Sequence, residues 1–165
     1  MQALWAPWRM TYVGGPKPPG CFLCSGRDTQ DLRGNLVLTQ SPAIVMLNKF
    51  PYTNGHLLVA PRSHMARLGE LSTAELHVVM DVVQRAATIL LDHFHAEGLN
   101  VGLNLGAAAG AGLEDHLHWH LVPRWLGDTN FMTVFADVRV VPEHLEAVYD
   151  RLLPLFAPAA TQVQM

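Results

Sequence analysis

The sequence predicts an α+β fold: an antiparallel five-stranded sheet with two helices on one side. Three observations predict it. Short β-rich runs come first, a long amphipathic helical stretch follows, and further strands and a second helical stripe close the order. The chain has 165 residues, of which 50% are hydrophobic and 15% charged. That length can bury a sizeable core, and the composition is too apolar for a disordered chain. It fits one domain over 1–165, with an N-terminal arm over 1–20 and a flexible tail over 157–165, "APAATQVQM".

The elements follow in order. "GGPKPPG" cannot hold regular structure, because Gly and Pro each oppose it, so it arches from the arm into the body. "NLVLTQ" and "AIVMLN", on either side of Ser41-Pro42, read as a strand pair, and "GHLLVAP" as a third strand stopped by Pro61. The clearest helix runs through "STAELHVVMDVVQRAATILLDHFHAEG". Ser72 with Glu75 forms a capping box. Leu76, Val79, Val83, Ala86, Leu90 and Phe94 recur at helical steps, and Gly98 closes the end. "LNVGLNLG" is a strand that leads into the small-residue loop "GAAAGAGLED". Pro142 starts a second helix with a stripe of Leu145, Val148, Leu152 and Phe156.

The fifth strand is "HLHWHLV", with His116, His118 and His120 at alternate positions. On a helix, His118 would point nearly opposite to the other two. On a strand all three imidazoles share one face, while Leu117, Trp119 and Leu121 enter the core from the other. Pro123 then stops the strand.

Composition excludes some functions. A formal net charge of −3 does not suit a basic protein that tracks a nucleic-acid backbone. The longest apolar run, "AIVML", is too short to cross a bilayer, and "MQALWAPWRM" has no cleavable signal pattern, since Pro7 breaks its apolar run. A cytoplasmic protein with no membrane or nucleic-acid partner is expected. Cys21 and Cys24 form a lone CxxC, which without a secretory signal suits metal binding or redox chemistry better than a structural disulfide.

Three alternating histidines admit three readings. They can cover a half-polar sheet face. They can ligate a catalytic metal, as HxH pairs do. Or one imidazole can attack phosphorus while its neighbours orient it, hold phosphate oxygens and protonate the leaving group. Neutral imidazole is nucleophilic near pH 7, and the P–N bond it forms breaks readily. The loop "NLGAAAGAG" leads directly into the histidines and offers unobstructed backbone N–H groups that can cradle an anion, which favours a phosphate-bearing substrate.

"HLHWHLV" matches the histidine-triad signature, and the chain resembles the histidine-triad (HIT) family from about Leu4 to Leu153. "LNKFPYTNGHLLVAPRSH" is similar to that family's ribose-side strand pair. "LWAPWRM" and "PRWLGDTNFM" resemble its dinucleoside tetraphosphate phosphorylase branch. The resemblance implies a HIT-like fold, a homodimer joined across a two-fold axis, and a nucleotide substrate. It implies His118 as the nucleophile that forms a nucleotidyl-imidazole intermediate. His116 would orient it, with its backbone carbonyl fixing the tautomer of His118, and His120 would meet the phosphate or bridging oxygen. Asn48 is carried over as a ribose partner, Asn104, Gly110 and Gly112 as the phosphate side, and Met46 and Leu58 as walls of the adenine pocket. Many members have Ser or Gln where this chain has Gly112, so only backbone N–H groups serve there. His56 reads as a buried, satisfied histidine near that pocket.

Some members and related nucleotidylyltransferases bind structural zinc through a CxxC and two histidines, and the matching positions are Cys21, Cys24, His64 and His116. Two thiolates and two imidazoles suit tetrahedral Zn²⁺. Mg²⁺ could accompany a polyphosphate, although no carboxylate cluster asks for it. Trp5 and Trp8 suit core packing, and Trp125 either the core or the pocket border. Arg9 and Arg124 suit either the polyphosphate, a partner subunit or salt bridges. The expected activity is phosphorolysis of diadenosine tetraphosphate. Hydrolysis of dinucleoside polyphosphates or nucleoside phosphoramidates is the nearest alternative. A zinc-stabilised nucleotide-binding module without turnover, or a metal-dependent enzyme, would be the others.

Overall fold

Alternation along the strands places the site. The computed structural model describes residues 20–128 and 144–157. Its strands are β1 (Val37–Thr39), β2 (Ile44–Leu47), β3 (Leu57–Ala60), β4 (Gly98–Leu103) and β5 (Trp119–Arg124), and its helices are α1 (Phe22–Asp28), α2 (Thr73–Asp92) and α3 (Leu145–Phe156). The five strands form one antiparallel sheet in the order β1-β2-β3-β5-β4. Val45, Leu47, Leu57, Val59, Leu117, Trp119 and Leu121 share one core with Val79, Val83, Ala86 and Leu90 of α2 and Val148, Leu152 and Phe156 of α3. Val37, Ile44, Met46 and Ala60 pack on the other face against Leu23 of α1.

That second layer differs from expectation. Helices α2 and α3 share a face, but α1 covers the opposite one, so there are three helices among the described residues rather than two. At seven residues α1 is too short to display an apolar stripe. Its start is set by Cys21, whose sulfur accepts the Cys24 N–H at 3.4 Å.

Helix α2 opens with the predicted capping box, Ser72 and Glu75 each satisfying the other's backbone N–H. It ends before Gly98, which instead begins β4. His95 takes the left-handed conformation (φ 54°), and the Ala96 N–H bonds back to the Leu90 carbonyl at 3.1 Å. In α3, Tyr149 joins the stripe, and its hydroxyl donates to the Val37 carbonyl at 3.0 Å, tying the helix to β1.

Two expectations about the histidine strand need correction. The ladder begins at Trp119. His116 to His118 precede it in non-helical chain, where the Leu117 N–H bonds the Met65 carbonyl at 2.7 Å. Pro123 lies inside β5, paired with Leu99. Pairing with β3 ends at Leu121, so beyond that residue β5 has, among the described residues, a neighbour on one side only, where proline is tolerated. The turn before β3 needs a glycine. Gly55 has φ 74°, and a Cβ there would lie 2.9 Å from the Phe94 ring. Trp5, Trp8, Arg9, Pro142, most of the N-terminal arm and nearly all of the C-terminal tail lie outside the described residues.

Candidate active site and metal centre

The central histidine has a defined tautomer. His118 is 7% exposed, and its Nδ1 lies 2.8 Å from the His116 carbonyl. A carbonyl only accepts, so Nδ1 carries the hydrogen and Nε2 keeps its lone pair. Burial pushes the imidazole below its ordinary pKa, with the carbonyl contact opposing. It is therefore neutral at pH 7, which a nucleophile requires.

His120 sits in β5 between Leu58 and Gly102. Its ring centroid is 5.0 Å from that of His118. Its Nδ1 lies 3.0 Å from Nε2 of His56, a fully buried residue. The Tyr52 N–H donates to Nδ1 of His56 at 3.2 Å, and Asn48 Nδ2 lies 3.4 Å from the same atom. His56 therefore carries its hydrogen on Nε2 and donates it to His120, which places the hydrogen of His120 on its own Nε2. Tyr52 stacks on His56 at 4.8 Å. His56 is buried and satisfied, as the sequence suggests, but its partner is a triad histidine.

The other predicted positions are less uniform. Asn48 reaches the triad through His56, and its Oδ1 accepts the Phe50 N–H at 2.9 Å. Met46 and Leu58 form a cross-strand pair, each 4% exposed, and Met46 Sδ lies against the Gly26 backbone of α1. The loop is not the open cradle that was expected. The N–H groups of Ala109, Gly110 and Ala111 bond carbonyls within it, and that of Ala107 bonds the Glu114 carboxylate at 3.2 Å. Four donors are thereby used, because Gly106 (φ 81°) and Gly110 (φ 84°) fold the segment back on itself. Asn104 Nδ2 donates to the Gly110 carbonyl at 3.5 Å.

Trp125 packs with the helix-side core. Its ring lies 6.1 Å from Phe94, and its Nε1–H bonds the His95 carbonyl at 2.8 Å. Of the two roles open to it in the sequence, the structure gives it core packing. Arg124 pairs with Asp128 and Asn100, so the salt-bridge role applies. The sequence reading missed Phe22, whose ring stands edge-on to His118 at 6.3 Å and 74°. Its position inside "CFLC", beside two candidate ligands, was the available signal.

Cys21, Cys24, His64 and His116 converge, with ligand atoms all within 4.8 Å of one another. Nδ1 of His116 lies 3.2 Å from Cys21 Sγ and 3.6 Å from Cys24 Sγ, and Nδ1 of His64 lies 3.3 Å from Cys24 Sγ. His116 is fully buried and its Nε2 donates to the Pro61 carbonyl at 3.0 Å, so Nδ1 offers a lone pair to the thiols. Burial pushes the Cys21 thiol up and the His116 imidazole down. A four-donor N₂S₂ set of this compactness fits tetrahedral Zn²⁺. Among the described residues it is the one such cluster, and the carboxylates form none that would suit Mg²⁺.

A three-layer α+β protein with a tautomer-defined histidine row, buried at its first two members, beside an N₂S₂ cluster is the class these features define. The HIT domain family model matches residues 30–125, and the chain belongs to that family. The AP-4-A phosphorylase of Mycobacterium tuberculosis is 36% identical over 160 residues, covering 88% of this chain and 79% of that protein. A bis(5'-adenosyl)-triphosphatase of Dictyostelium discoideum is 27% identical over 92 residues, 56% of this chain and 61% of that protein. A crystal structure of a Zn-bound histidine triad family protein from Mycobacterium smegmatis superimposes with a TM-score of 0.65 at 27% identity, over 84% of this chain and 94% of that one. The chain is accordingly a HIT-family enzyme in a group whose relatives process nucleotides.

Proposed function

We propose that the protein cleaves dinucleoside polyphosphates by nucleotidyl transfer through His118, with inorganic phosphate as the second acceptor. The observation that carries the reading is the 2.8 Å contact from His118 Nδ1 to the His116 carbonyl, which leaves Nε2 as the attacking lone pair. Nε2 would form a bond to the α-phosphorus as the P–O bond to the departing nucleotide breaks. His120, with its hydrogen on Nε2, would protonate that leaving oxygen or bind a phosphate oxygen. A phosphate oxygen would then attack that phosphorus, forming a P–O bond as the P–N bond breaks, so that the imidazole leaves and a nucleoside diphosphate is released, whereas water would release the monophosphate. The likeness to the AP-4-A phosphorylase over 88% of the chain favours phosphate.

In the same reading Asn48 meets the ribose, Met46 and Leu58 border the base, and the loop that carries Asn104, Gly110 and Gly112 borders the phosphates, its internal bonds to the Gly106 and Ala107 carbonyls opening where its N–H groups are to donate. Bound zinc would be structural, holding α1 and the ring of His116. The chain acts as one cytoplasmic domain and pairs with a second copy. The edge strand β4, bonded to β5 alone among the described residues and exposed at residues 100–102, supports that pairing. The test uses diadenosine tetraphosphate with and without phosphate. ADP and ATP formed only with phosphate are expected, and His118→Asn should lower turnover by at least about 10⁴-fold. AMP and ATP without phosphate would support the hydrolase instead. Binding without turnover would leave only a nucleotide-binding module.

A further inference from the structure

A metal-ligating imidazole is oriented through its second nitrogen, which a carbonyl or carboxylate usually holds. His116 meets that condition through the Pro61 carbonyl. His64 is the other imidazole of the cluster and the most exposed member. Its Nδ1 faces Cys24 Sγ at 3.3 Å, and its Nε2 lies 3.8 Å from Oδ2 of Asp115. We propose that Asp115 is the positioning residue for His64 as a metal ligand, so that the acidic residue immediately before the triad sets metal affinity. The inference rests on the reading of the cluster as a zinc site.

As a surface ion pair, with side chains 42% and 67% exposed, His64 and Asp115 would matter little. A divalent cation on Nδ1 changes that. It would polarise the ring and draw its Nε2–H into a hydrogen bond with the nearby carboxylate, which would hold the ligand in place. The two imidazoles are then built alike, each with Nδ1 toward the thiols and Nε2 toward an acceptor. The short segment from Asp115 to His118 supplies the acceptor for one ligand, another ligand, and the proposed nucleophile.

The test is zinc affinity of the full chain, measured by competition with a chromophoric chelator. Asp115→Ala should weaken zinc by about tenfold or more. Asp115→Asn should fall between it and the wild type, because the amide oxygen still accepts the Nε2 hydrogen. Zinc held equally tightly by wild type and Asp115→Ala overturns the role of Asp115 and leaves the zinc site standing. A wild-type chain that takes up no zinc overturns both. Should the alanine variant not fold, the asparagine variant decides alone, and wild-type affinity in it overturns the proposal.

Discussion

At the scale of the residue, hydrogen placement is the determining variable. Backbone groups fix it for the central and the last histidine of the row. The His116 carbonyl holds the hydrogen of His118 on Nδ1, and the Tyr52 N–H, acting through His56, holds that of His120 on Nε2. His56→Phe removes the donor to His120 while keeping a ring in a fully buried slot. It should lower kcat by about 10²-fold with KM little changed, and steady-state kinetics separates the two. A rise in KM with kcat unchanged would mean that His56 only shapes the pocket. The shared face of the three histidines was legible in the sequence, because period-two alternation assigns faces without further information. The link to His56 was not, since it joins residues 64 apart and depends on the pairing of β3 with β5.

At the scale of the element, the long periodic helix and the short strands at 37–39, 44–47 and 57–60 were legible, and the seven-residue α1 was not. Helix α2 carries both a cap and a stripe, and each is visible in sequence. Glu75 is held below the ordinary carboxylate range, first by the Ser72 hydroxyl, then by the Ser72 N–H and by Ser63. Its folded pKa is lower than its unfolded one, so between the two the unfolded chain binds more protons. The stability it contributes is present above the unfolded value and is lost as pH falls through the folded one. Ser72→Ala should cost about 1 kcal/mol at neutral pH and flatten that acid dependence, and denaturant melts at several pH values check both. Helix α1 escaped notice because seven residues offer no repeat, and because it is anchored by contacts distant in sequence. One such contact is Arg27 donating to the Arg62 carbonyl at 2.8 Å.

At the scale of the whole molecule, the sheet separates two jobs. One face holds the large apolar core, and the other holds the histidines, with α1 and the N₂S₂ cluster over it. Chelation should therefore loosen α1 without dissolving the core. We expect the metal-loaded chain to gain about 4 kcal/mol at a free zinc concentration a thousand times Kd, read as a higher Tm. The chelated protein should keep its α2 and sheet signature in far-ultraviolet circular dichroism and part of its turnover. Immediate and complete loss of turnover would instead identify a catalytic metal. The four donors were legible only through family likeness, since nothing in the spacing of Cys21, Cys24, His64 and His116 brings them together until the sheet is folded.

The Gly55 turn connects these two faces in a way that neither displays alone. A single methyl group there would press on Phe94, which belongs to the oily side of the protein. The residue next along the chain, His56, reaches through to the wet chemistry on the far side. An inconspicuous substitution far from any phosphate would thus be heard as a misplaced proton, and screens that look for such lesions only among the histidines would miss it.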